Sequence, residues 1–107
     1  MFDFLVETLE RHGKSIHAYR VCAEQGYSAA AATPDAAAAL FLLARLAEAF
    51  ADVNERMPIT ASDVDSAFVR FGGHVRQLNA AWSDGTETAR LAALNRVAGE
   101  MARDGAA

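Results

Sequence analysis

Apolar positions in this chain recur every three or four residues, and no segment alternates with period two. Phe2, Leu5, Leu9, His12, Ile16, Tyr19 and Ala23 form the first stripe, a spacing that keeps all seven on one helical face. The stripe keeps its phase through Gly13. One helix is therefore expected over roughly residues 3–25, weakened at Gly13 and closed by Gly26 as a left-handed cap. Residues 26–33 read as a loop. Thr33-Pro34-Asp35 is a helix start: Thr33 can cap, Pro34 needs no N–H at the first helical position, and Asp35 suits the positive end of the dipole. The second helix then spans roughly residues 34–56. Leu42, Leu46, Phe50, Val53 and Met57 are expected in its core, Arg45, Glu48, Asp52 and Glu55 form its polar stripe, and Pro58 stops it.

Thr60-Ala61-Ser62-Asp63 resembles a capping box and opens a third helix over 61–82. Its stripe is Val64, Phe68, Phe71, Val75, Leu78 and Trp82. Gly72-Gly73 in the middle either kinks the helix, splits it, or lets a neighbouring backbone come close. Ser83-Asp84-Gly85-Thr86 is a turn with its own cap residues. The fourth helix covers 87–103 with Leu91, Leu94, Ala98 and Met101 inward, and residues 104–107 should fray. These elements predict an all-α, antiparallel four-helix bundle, one helical domain over residues 1–107.

A chain of 107 residues can bury a core without disulfides or metals. Its hydrophobic content of 52% is rich in alanine, which favours helix and close helix contact. The net charge of −4 is spread along the chain, with no basic patch for nucleic acid and no polybasic membrane anchor. Cys22 is the single cysteine, so no internal disulfide can form. The N-terminus lacks the charged region of a signal peptide, and the apolar run Ala36 to Ala44 is far short of the roughly 20 residues a membrane span needs. A cytoplasmic protein is expected. Arginine dominates the basic residues, which together with the alanine content points to a GC-rich bacterial genome.

Motifs for chemistry are few. There is no CxxC, HExxH or Glu-x-x-His, and no usual ligand stands three or four residues before His12, His17 or His74, so no metal or cofactor is expected. Gly13-Lys14-Ser15 looks like the tail of a phosphate-binding loop, but Thr8 stands where the first glycine belongs. His12 and Tyr19 belong to the apolar stripe, and Cys22 beside it reads as a buried thiol. His17 falls off the stripe and should be exposed. The run His17-Ala18-Tyr19-Arg20 resembles the His-x-Leu-Lys-Gly run of histidine phosphotransfer domains, with Val21 in place of the glycine. That resemblance implies a phosphoryl-accepting His17 with Arg20 screening the added charge. If Gly72-Gly73 splits the third helix, residues 62–82 become a helix-turn-helix with His74, Arg76, Gln77 and Asn79 as base readers.

The expected function is that of a small non-enzymatic accessory or regulatory protein acting through protein–protein interaction, as a homodimer. Val6 and Val21, apolar residues outside the main stripes, are the interface candidates. The alternative is phosphotransfer through His17 and Arg20. A DNA-binding regulator is the third reading, against the acidic charge.

Overall fold

The computed structural model describes residues 1–104. They form five α-helices and one 3₁₀ turn: α1 (Asp3–Arg11), α2 (Ile16–Ala32), the 3₁₀ turn (Pro34–Ala36), α3 (Ala37–Asn54), α4 (Ala61–Asp84) and α5 (Glu87–Arg103). There is no strand among the described residues. The all-α expectation holds, whereas the four-helix count does not. Beyond Asp104, the expected fraying at the C-terminus falls outside the described residues.

The extra helix comes from a corner at Gly13-Lys14. Both residues lie in the left-handed region, at φ 73° and 57°, and a right-handed helix cannot run through them. Ser15 restarts the chain as N-cap of α2, its Oγ accepting from the Ala18 amide at 3.1 Å. Lysine gains nothing from a positive φ, but its ammonium sits 4.0 Å from the Phe68 ring centroid on α4. That cation–π contact holds the corner against the fourth helix.

Gly26 is the second departure. It does not cap a helix; α2 continues past it to Ala32. Gly26 is buried where α2 crosses α3, and a β-carbon there would stand 2.8 Å from the Ala44 Cβ. These two helices make the most extensive interhelical contact in the chain. The contacts Tyr19–Phe50 and Tyr27–Phe41 lie on either side of the crossing, so α2 and α3 run antiparallel.

Gly72-Gly73 behaves differently. α4 runs unbroken through the pair, and the nearest group to a β-carbon at either position is the flexible Arg76 guanidinium, at 3.6 and 3.8 Å. The pair therefore neither splits the helix nor brings a backbone close. Thr60 and Thr86 cap α4 and α5 as their spacing implies, with Oγ1 accepting from the Asp63 and Ala89 amides at 3.0 and 3.1 Å. α1 lacks a cap of its own. Asn79 of α4 serves it instead: its Oδ1 accepts from the Phe2 amide at 2.9 Å and its Nδ2 donates to Asp3 at 2.8 Å.

All five helices share one core, in which Leu5, Tyr19, Leu43, Phe71, Leu78 and Val97 are almost wholly buried. Several residues expected inside are outside, among them Ala98, which is exposed on α5. Met57 lies beyond the end of α3, while Val53 and Leu91 sit on helix faces that no neighbour covers; they are 66%, 68% and 60% exposed.

The glycines give a direct test. Gly26→Ala should destabilise the protein by about 1–3 kcal/mol, since overpacking outweighs the better helix propensity. Gly72→Ala and Gly73→Ala should each stabilise it, by up to about 1 kcal/mol. Urea denaturation of the three variants checks both signs.

Candidate functional site

His17 occupies the first turn of α2 and is exposed, as its place off the stripe implies. His12, expected on the buried stripe, is also exposed, because the corner carries it past the end of α1. The two imidazoles meet edge to face across the corner, with centroids 5.5 Å apart. Arg20 turns away from His17 toward α3. Its Nη1 lies 3.4 Å from Asp52 and its Nη2 3.1 Å from Glu55. One guanidinium thus bridges two carboxylates of the neighbouring helix, and its charge is already balanced there. Val21 is half-buried on α2. Val6 is half-buried between α1 and α4, in a groove that also carries Val69 and is edged by Asp3, Glu7 and Glu10.

Three of the four residues of the helix-turn-helix reading are buried or engaged elsewhere, and only Arg76 is exposed. His74 is 2% exposed, Asn79 holds the start of α1, and the Gln77 Oε1 is buried. Cys22 is buried as expected; burial pushes its thiol up to about 12, and its Sγ lies 3.7 Å from the Leu5 carbonyl. Such a thiol is unreactive. No group of three or more His, Cys, Asp or Glu side chains able to hold a metal ion occurs among the described residues. No helix among them is long and apolar enough to cross a membrane.

Two surface features stand out. The first is a shallow groove where the end of α2, the start of α3 and the middle of α5 meet. Its lining contains no charged residue. Phe41 of α3 and Leu91 of α5 project there, 53% and 60% exposed, beside small surfaces from Ala30, Ala38 and Ala98. The Phe41 ring leans on Tyr27 at 5.4 Å, and Tyr27 is fixed by donating its hydroxyl hydrogen to Glu48 at 3.0 Å. The groove is thus held in shape from behind.

The second is a cleft of about 330 Å³ between α3 and α4, with Asp104, just after α5, also in its lining. Leu46, Phe50 and Phe71 make apolar walls, and Tyr19 contributes from α2. The Tyr19 hydroxyl is buried without a hydrogen-bond partner, and its pKa is pushed up to about 12, chiefly by burial. Arg70, Asp63 and Asp104 stand in the same cleft.

No protein-family model, curated protein or solved structure matches the chain. The site has to be read from its own residues. Periodicity marked Tyr19 and Phe71 as core and His17 as exposed. It carried no signal for the groove or the cleft, which depend on which helix faces stay uncovered. Asp104 lies beyond the last periodic position, so nothing local pairs it with Arg70.

His74 supplies a pH dependence. It packs between α4 and α5, its Nδ1 3.5 Å from Glu100 Oε2, with neither ring nitrogen hydrogen-bonded. Burial lowers its pKa below the usual 6.5; Glu100 and Asp104 oppose that, and Arg70 adds to it. As pH falls through 6.5, the unfolded chain takes up a proton that the folded chain resists, so stability is lost below that value and is unaffected above it. Thermal melts at about pH 7.5 and about pH 5.5 should show a lower midpoint at the acid value, and His74→Gln should reduce the difference.

Proposed function

We propose that the protein is a small non-enzymatic accessory or regulatory protein that works through protein–protein contact and forms a homodimer. The observation that carries this reading is the uncharged groove with Phe41 and Leu91 standing more than half exposed at its surface. Exposing two large apolar side chains together is unfavourable in water, and such patches are where proteins meet partners. A second copy is the occupant that the patch suits. Projecting Phe41 and Leu91 alternate with alanine hollows, so the surface offers both ridges and depressions to itself across a two-fold axis. The chain carries a net charge of −4, yet none of it lies in this lining, so two copies meet there without like-charge contact. The surface around Val6 is less suited, because a symmetric contact would have to desolvate Asp3, Glu7 and Glu10 with only Arg76 to offset them.

Phosphoryl transfer through His17 keeps one supporting observation, the exposed ring on the first turn of α2. Against it, Arg20 is engaged by Asp52 and Glu55 and leaves the added charge unscreened. The DNA-binding reading loses its turn, because α4 runs unbroken from Ala61 to Asp84, and of its four base readers only Arg76 is exposed.

Sedimentation equilibrium tests the dimer. A mass near twice 11.4 kDa is expected at micromolar concentration. Phe41→Glu and Leu91→Glu should each raise the dissociation constant by about thirtyfold, the scale of a hot-spot residue, while circular dichroism stays unchanged. Val6→Glu should have a smaller effect. A mass of 11.4 kDa throughout the micromolar range defeats the reading.

A further inference from the structure

The cleft between α3 and α4 combines an apolar interior with a loose ion pair. The Arg70 Nε lies 3.9 Å from Asp104 Oδ2, and the two side chains are 51% and 43% exposed. A charge-assisted N–H···O bond would measure about 2.7–2.9 Å, so this pair attracts without bonding. Arg70 keeps its guanidinium donors for another acceptor, and Asp104 keeps its oxygens for another donor. Behind them lie Leu46, Phe50, Phe71 and the ring of Tyr19, with Tyr19 and Phe50 only 4.3 Å apart. The volume of about 330 Å³ falls within the range of about 300–1,000 Å³ typical of small-molecule sites.

We propose that this cleft binds an apolar α-amino acid, its carboxylate on Arg70, its ammonium on Asp104 and its side chain against Phe50 and Val53, the large apolar lining residues left accessible. An α-amino acid carries both charges on one carbon, a spacing that an open ion pair can receive whole. Each ligand charge then meets its opposite on the Arg70–Asp104 pair, and Asp63, the second carboxylate in the lining, adds to the attraction for the ammonium. A simple carboxylate would meet Arg70 but face Asp104 and Asp63, two carboxylates in the same cleft. A simple amine would satisfy Asp104 and displace it from Arg70. Apart from Asp63 the lining beyond the ion pair carries no charge, so a branched aliphatic or aromatic side chain fits and an acidic one is repelled. The site uses none of the groove residues and is independent of the dimer.

Titration of the full-length ¹⁵N-labelled protein by NMR tests the proposal, with L-leucine and L-phenylalanine as probes. Saturable shifts are expected at the amides of Phe50, Ala67 and Arg70. Isocaproate, which is leucine without its ammonium, and isoamylamine, which is leucine without its carboxylate, should each bind about tenfold more weakly or worse. Arg70→Gln and Asp104→Asn should each weaken leucine by about tenfold or more while the remaining spectrum stays folded. Phe41→Glu should bind leucine unchanged. The proposal is overturned if neither amino acid gives a saturable shift, or if isocaproate or isoamylamine matches leucine.

Discussion

Where α2 crosses α3, Gly26 lies against Ala44 with no room for a β-carbon on the glycine. Close backbone approach at one point fixes the positions of everything on either side. Toward one end, Tyr19 packs at a tilt against Phe50, and Arg20 reaches both Asp52 and Glu55. Toward the other, Tyr27 reaches Glu48 and leans on Phe41. The exposed ion pairs add about 0–1 kcal/mol each, so they orient the pair more than they stabilise it. Dispersion and burial along the crossing contribute the rest, and both fall away quickly if the helices are pushed apart. The remaining helices pack against this antiparallel pair, and the surfaces they leave uncovered are the groove and the cleft.

Much of the secondary structure was legible in the sequence because its signals are local. Thr60 and Thr86 cap through amides three residues away, and Gly85 adopts the left-handed conformation that a helix end favours. The α4 stripe held its phase through Gly72-Gly73, and the helix does run through them. Two glycines misled for opposite reasons. At Gly13 the corner returns the chain to the same apolar phase, so periodicity could not detect the bend. At Gly26 a glycine needed for contact looks the same as one that ends a helix, and only Ala44, across the crossing, distinguishes them. Met57 failed because α3 ends at Asn54, and Val53, Leu91 and Ala98 failed for another reason. Periodicity tells which residues share a face, and not whether anything packs against that face.

The same division runs through the functional residues. His17 was readable as exposed because exposure follows from its place off the stripe. The engagement of Arg20 was not readable, since Asp52 lies 32 residues further along the chain. The groove and the cleft differ in kind. One is uncharged and shallow, suited to another apolar surface. The other pairs an apolar interior with charges of both signs, suited to something small that carries both. Neither has a counterpart in a sequence motif, because each is assembled from helices that meet only in the fold.

The cap on α1 has a consequence for how the chain comes into being. A helix of nine residues is too short to persist alone in water, where about 12–15 are needed even for favourable sequences. Its first turn is closed by Asn79, which comes 77 residues after Phe2. On a ribosome, which adds residues in order, α1 emerges well before α4 and must wait for Asn79 to follow. The α2–α3 pair, whose contacts are shorter in range, can form in that interval. α1 thus settles only after α4, and until α4 emerges the apolar face of Phe2, Leu5 and Leu9 stays open to whatever meets a nascent chain.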